Sequence, residues 1–354
     1  MGQEALFTKF LRILGNTILW FVVGLLLVWA GAALYFDFSY PSLRAIAAIF
    51  FALIAIAMFL VIKQRWLRIA ALLGCFALVV AWWFSLQPSD DRAWQADVDR
   101  TAWAETNGDQ VTLHNVRNCD YRAESDYTCQ WEIKTVDLSQ IRGIDLFFTH
   151  WGSPWIAHPI LSFQFGDKDH IAFSIETRKE IGESYSAIRG FFRQYELIYT
   201  IAEERDVVRL RTNYRTGEEV SLYHIKAGPN RSRAVFLQYI KSVNELHGHP
   251  EWYNALTSNC TTNLYEDVAA ADGTKQNAWA SKLRIPLNGK DDEKAYARGA
   301  IAGNLPFPEM QRRALINPAA KAADHSPDFS ILLRKDRPGF EDISNTPTGA
   351  SAPN

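Results

Sequence analysis

The chain has 354 residues, with 37 lysines and arginines against 39 aspartates and glutamates, for a formal charge of -2. That length exceeds what one small core needs and leaves room for a catalytic domain with an appendage. The near-neutral balance offers no field for a polyanion and no acidic tail, so nucleic acid is excluded as a partner.

From Ile18 to Phe36, Ala45 to Ile62 and Ile69 to Leu86 there is no charged residue. Each run approaches the ~20 apolar residues that span a bilayer, so residues 1–88 read as a three-helix transmembrane region. The first run is too long, and too soon followed by two more, for a cleavable signal peptide. Trp20, Trp29, Trp66, Trp82 and Trp83 lie in or beside the runs, several where an aromatic belt belongs. Lys9 and Arg12 precede the first run, Arg44 stands alone in the first loop, and Lys63, Arg65 and Arg68 crowd the second. This asymmetry puts the N-terminus and second loop inside, and an odd number of spans delivers everything after Pro88 to the opposite side.

After a polar linker come short runs rich in β-branched and aromatic residues: "QVTLHNV", "TCQWEIKTVDL", "GIDLFFTHW", "HPILSFQF", "HIAFSIE", "VVRLRTNY" and "VSLYHI". Turn residues separate them, which predicts an antiparallel sheet. Helices are read at "ESYSAIRGFFRQYELIYTIAEE", at "SRAVFLQYIKSVNELH" and after Cys260. The fold class is α+β, with a soluble domain over 89–317. Pro, Ala, Ser, Asp and Lys dominate 318–354, read as a flexible C-terminal tail in which only "FSILL" would dock on the body. The eight histidines are scattered and "HGH" at His247 to His249 lacks further ligands, so neither metal nor cofactor is expected.

Four cysteines are present. Cys75 lies in the third apolar run. Cys119 and Cys129 flank "DYRAESDY", whose polar middle reads as a hairpin turn. In an oxidising compartment a disulfide between them is open, as are two separate thiols, because spacing does not show how close their Cα atoms come.

The hairpin "HPILSFQFGDKDHIAFSIETR" carries a register argument. Leu161, Phe163 and Phe165 share a face with Ile171, Phe173 and Ile175 only if odd positions pair with odd ones. Phe165 opposite Asp169, around a Gly166-Asp167-Lys168 loop, satisfies this and sets His158 across from Glu176 on the other face. A carboxylate so placed orients an imidazole and stabilises its protonated form. His170 lies about 20 Å further along and is set aside as a partner. His150 is a rival base, with no carboxylate opposite it.

Cys260 stands in "EWYNALTSNCTTNLYEDVAAA" where a polar turn meets a helix start. A small buried thiol is the bland reading, since unpaired cysteines are among the most buried residues. The alternative is a nucleophile whose pKa the helix dipole lowers and whose oxyanion the first-turn N–H groups hold. Thr261 and Thr262 would help cap that end, and Asn259 would hydrogen-bond to the loop or the substrate. A cysteine heading a helix opposite a histidine on a sheet is the papain arrangement, here with the histidine first, as in a circular permutation.

The segments "NVRNCDY", "HPILSFQFGDKDHIAFSIETR", "YELIYTIAEERDVVRLR" and "PEWYNALTSNCTTNL" together resemble the Lnb-type periplasmic domain family, over roughly Gln95 to Asp272. The resemblance implies a circularly permuted papain-like domain, with Cys260 on the family's cysteine, His158 on its histidine and Glu176 on its "SIExR" glutamate. It also implies a bacterial inner-membrane protein whose C-terminal domain faces the periplasm. One branch of the family is linked to lipoprotein N-acylation. The fold is similar to that of lecithin:retinol acyltransferase-like enzymes, which carry a second histidine where this chain has Glu176. Three spans ahead of the domain depart from what the resemblance specifies and leave the substrate open.

These readings converge on a thiol acyltransferase acting on membrane lipid or lipoprotein. A cysteine hydrolase of cell-wall peptide shares the chemistry up to the acyl-enzyme. A third reading is a silent envelope scaffold in which Cys260 is only packed.

Overall fold

The computed structural model describes residues 2–274 and 288–341 and falls into two compact units. One comprises Met1–Ser89 with Ser186–Tyr195; the other comprises Asp90–Tyr185 with Glu196–Asn354.

The first unit is built on α1 (Gly2–Asp37), α2 (Arg44–Val61) and α3 (Arg65–Ser85), each long and apolar enough to cross a membrane. Their contacts run along small residues. Ala30 and Ala33 are fully buried, and a Cβ at Gly31 would already touch the Phe51 ring at 3.9 Å. Such close approach supplies the dispersion contact on which helices depend where lipid removes the hydrophobic force between them. Most of their large apolar side chains, such as Leu53 and Phe50, are exposed, as expected of helices that face hydrocarbon.

The second unit is α+β. Its strands are β1 (Trp103–Asn107), β2 (Gln110–Ala123), β3 (Asp126–Asp137), β4 (Ile141–Trp151), β5 (Ser153–Phe165), β6 (Asp169–Arg178), β7 (Glu196–Ala202) and β8 (Glu218–Ile225). They pair in the order β1-β2-β7-β6-β5-β4-β8, with β3 also on β2. The sheet is mixed and not purely antiparallel: β2 meets β7 in parallel at Arg117↔Ala202. On one face Phe163, Phe165 and Phe173 pack edge-on against Phe236 and Tyr239 of α5 (Pro229–Gly248). On the other, Ile160 and Ala172 join Val207, Val208 and residues from beyond 315. Burial on both faces is why β5 and β6 read as nearly continuous apolar runs.

Two segments exchange roles relative to the sequence reading. "ELIYTIA", assigned to a helix, is β7, a strand buried at every residue. "VVRLRTNY", assigned to a strand, is α4 (Glu204–Arg209) running into a π turn over Leu210–Tyr214. Short apolar runs do not declare their period. What decides here is burial of charge: the helical path lets Asp206, with no exposed surface, accept from Arg117 Nη2 at 2.8 Å and from the Cys119 N–H at 2.7 Å.

The tail is also corrected. After α6 (Cys260–Ala271) and α7 (Asp291–Ala297) come α8 (Phe307–Ala314), α9 (Asn317–Ala322) and α10 (Phe329–Arg334). Ala320, Ala323, Phe329, Leu333 and Phe340 are core residues. Arg334 reaches two buried carboxylates, donating to Glu204 Oε1 at 2.6 Å and to Asp145 Oδ2 at 2.8 Å. Of the expected flexible tail only 342–354 lies outside the described residues.

Candidate functional site

The hairpin has the expected register: Phe165↔Asp169, Phe163↔Ile171 and Leu161↔Phe173 pair across a loop in which Gly166 takes φ +56°. That left-handed conformation is one a Cβ disfavours. The β5–β6 ladder ends at Ile160↔Ser174, however, while the β4–β5 ladder continues to Ala157 and the β6–β7 ladder to Arg178. The two strands splay, and His158 and Glu176 stand at the mouth of the gap instead of forming a ladder pair.

Their contact is therefore indirect. His158 Nε2 lies 2.8 Å from Ser174 Oγ, which donates to Glu176 Oε1 at 2.7 Å; the direct Nε2 to Oε1 separation is 3.8 Å. Ser174 has no exposed surface. Nε2 thus engages the relay, leaving Nδ1 as the ring nitrogen not held by Ser174.

Arg211 completes this side of the site. From the π turn it donates to Glu176 Oε1 at 3.3 Å and to Glu218 Oε2 at 3.2 Å. Burial works against a charge on Glu176, but Arg211, then Arg117 and His158, pull its pKa well below the usual carboxylate range. Burial and then Arg211 push the His158 pKa well down, against the pull of Glu176. The result is an anionic glutamate balanced by an arginine and a neutral imidazole beside it.

Where β6 leaves β5, Asn288 and Gly289 take over its edge. Asn288 Oδ1 accepts from the Ala157 N–H at 2.8 Å, its Nδ2 donates to the Ala157 carbonyl, and the Gly289 N–H donates to the Trp155 carbonyl at 2.9 Å. A Cβ at Gly289 would fall 2.3 Å from the Pro154 carbonyl oxygen, so only glycine fits. Asn288 Nδ2 also donates to Thr261 Oγ1. One side chain thereby ties the strand residue before His158 to the helix residue after Cys260.

Cys260 opens α6. Asn259 is its N-cap, with Oδ1 accepting from the N–H groups of Thr261 at 2.9 Å and Thr262 at 3.1 Å, and Thr262 Oγ1 accepts from the Asn259 N–H in return. This capping box revises two expectations. Thr262 caps as expected, but Thr261 serves Asn288. Two first-turn N–H groups are already taken, so of the first three only that of Cys260 is left for an oxyanion. The thiol is not lowered either. Burial pushes it up to about 11, outweighing the Thr261 hydroxyl and Arg211.

Cys260, His158, Glu176 and Arg211 line one cleft of about 830 Å³, together with Tyr185 and Tyr253. Cys260 Sγ has Thr261 Oγ1 at 3.9 Å, and no described hydrogen bond joins it to the imidazole. The arrangement is a neutral thiol and a neutral base sharing a cleft, in which a carbonyl carbon placed between them would be attacked as the proton leaves for Nδ1. A second, smaller cavity of about 160 Å³ has apolar walls, among them Leu146, Phe148, Leu161, Leu264 and Val268, and reaches Thr261.

The other sequence candidates fall elsewhere. His150 Nε2 is 2.8 Å from the Gly289 carbonyl, which occupies that nitrogen. His170 pairs with Gln164 and its Nδ1 sits 2.9 Å from the Lys168 carbonyl. Cys119 and Cys129 are direct partners across β2 and β3 and are disulfide-bonded. Ser174, Arg211 and Asn288 were not singled out from sequence. Ser174 carries a signal in hindsight, two positions before Glu176 on the same strand face; the other two act through tertiary contacts alone.

Comparison with curated proteins and with solved structures returned no match. Residues 127–289 match the family model described as the Lnb N-terminal periplasmic domain. That span holds Cys129, His158, Ser174, Glu176, Arg211, Cys260 and Asn288, and this part of the chain is a domain of the Lnb N-terminal periplasmic family.

Proposed function

We propose that the protein is a multi-pass inner-membrane enzyme whose permuted papain-like domain faces the periplasm and transfers an acyl group through Cys260. The three bilayer-length helices and the periplasmic family support the placement. The observation that carries the chemistry is the shared cleft: a helix-start thiol with a neutral imidazole whose Nε2 is held by Ser174 and Glu176. His158 Nδ1 takes the thiol proton as Sγ bonds to an ester carbonyl carbon. The Cys260 N–H faces the oxyanion. Collapse breaks the ester C–O bond, and His158 returns the proton to the leaving alcohol. An amine then attacks the thioester, giving an amide and the free thiol. The apolar cavity that reaches Thr261 supports a fatty acyl chain as the transferred group.

The thiol cleft itself favours a second reading. It is large, and its lining includes Lys179, Arg215, Glu124 and Glu183, which suits a polar substrate such as cell-wall peptide. Lipoprotein N-acylation and muropeptide composition in cells carrying Cys260→Ala separate the two. Loss of acylation with unchanged muropeptides is expected, altered muropeptides alone would support the hydrolase, and no change in either would leave Cys260 a packed residue.

A further inference from the structure

The segment between β6 and β7 was read from sequence as part of a long helix. It instead leaves the α+β domain: Ser186–Tyr195 belongs with the three apolar helices. Its ends are closed by the Ser186 N–H donating to the Tyr195 hydroxyl at 3.0 Å, and Arg189–Phe191 forms a single 3-10 turn. Phe192 is buried among Phe36 and Trp29, with ring centroids 4.8 and 6.4 Å away. Asp37, at the end of α1, accepts from Gln194 Nε2 at 2.9 Å, the Arg193 N–H at 3.2 Å and Trp83 Nε1 at 2.7 Å. The Arg193 guanidinium lies over the Trp83 ring, 4.3 Å from its centroid.

Depth follows from the helix. If the charge-free stretch of α1 ending at Phe36 spans the hydrocarbon, Trp29 lies about 10 Å inside its boundary at 1.5 Å per residue. A ring stacked between the levels of Trp29 and Phe36 is then below the headgroups. Yet the same turn leaves Ile188 62% exposed and Phe191 36% exposed, flanked by Arg189 and Arg193. Exposed Tyr40 and Phe84 stand at the same end of the helices as Asp37 and Leu86. Apolar tips with basic neighbours, beside aromatic side chains at helix ends, match the chemistry of the headgroup–acyl boundary. We infer that Ser186–Tyr195 is an interfacial segment whose Ile188 and Phe191 insert into the outer surface of a phospholipid bilayer. The inference rests on the reading of α1–α3 as membrane spans.

Its test places an environment-sensitive fluorophore at Ile188→Cys, and separately at Leu53→Cys in α2, in full-length protein with Cys75 and Cys260 replaced by alanine. Both proteins are reconstituted in phosphatidylethanolamine–phosphatidylglycerol vesicles, after a thermal melt shows the fold retained. The label at 188 is expected to be quenched by lipids carrying a nitroxide near the headgroup and shielded from aqueous iodide. Iodide quenching at 188 with lipid quenching retained at 53 would overturn the inference alone. Iodide quenching at both would overturn the spans and the inference with them.

Discussion

At the scale of single residues, the site holds its charges in a way that sequence could not set. A cysteine at a helix start argues for a low pKa, and that holds only when the thiol is also hydrated or near an imidazolium. Here the thiol is half-buried and desolvated enough that its pKa is pushed up, and Glu176 already has Arg211 as a counter-ion, so His158 has no call for a proton. The resting pair is neutral, so in the proposed mechanism the thiolate would form only as a substrate is attacked. Alkylation of Cys260 by iodoacetamide is therefore expected to rise about tenfold per pH unit from pH 7 toward about 11, since the thiolate fraction does so. A rate already level at pH 7 would mean a preformed ion pair. The role of Arg211 has its own sign. Removing its charge in Arg211→Met lets Glu176 raise the His158 pKa, so the acid limb of the activity profile moves to higher pH, because protonated imidazole cannot serve as the base. The same variant loses roughly 3–5 kcal/mol of stability, as a buried carboxylate loses its partner. A melt showing that loss with an unmoved acid limb would make Arg211 structural only.

At the scale of elements, the readable parts were those with a long, strict pattern. The three apolar helices, α5, α6 and the β5–β6 register followed from charge-free length, 3.6-residue periodicity and alternation. The failures have two causes, short apolar runs such as "ELIYTIA" that do not declare their period and charge buried where composition predicts solvent. The helical segment around Asp206 pairs with Arg117, and the C-terminal region packs Phe329 and Leu333 into the core while Arg334 pairs with Asp145 and Glu204. Such pairs leave no periodic trace, since each partner comes from a distant stretch. The site divides the same way. His158, Glu176 and Cys260 were legible from register and helix position, but the gap between β5 and β6, and Asn288 filling it, depend on where a ladder stops. The closing helices make a testable demand. Arg334→Met leaves the buried Glu204 and Asp145 without their arginine, Asp145 keeping its contact with His224 Nδ1 at 2.7 Å, and is expected to lower stability by about 3–5 kcal/mol, read as a fall in the urea midpoint. A flexible tail predicts no change.

For the whole molecule, three bilayer-length helices and a periplasmic-type domain join on one chain whose cleft brings Cys260, His158, Glu176 and Arg211 together, the groups on which the proposed acyl transfer rests. Three helices long and apolar enough to cross a membrane exceed what a tether requires, and the proposed function accounts for them by a substrate drawn from the bilayer. The most direct measurement is the intact mass of the protein purified with its native phospholipids and trapped at mildly acidic pH, where amine acceptors are protonated and the thioester persists. The expected result is a hydroxylamine-sensitive fatty acyl adduct mapping to Cys260, absent from Cys260→Ala and Cys260→Ser and diminished in His158→Ala. An unmodified Cys260 under these conditions, with the His158 variant indistinguishable from the parent, would contradict the account.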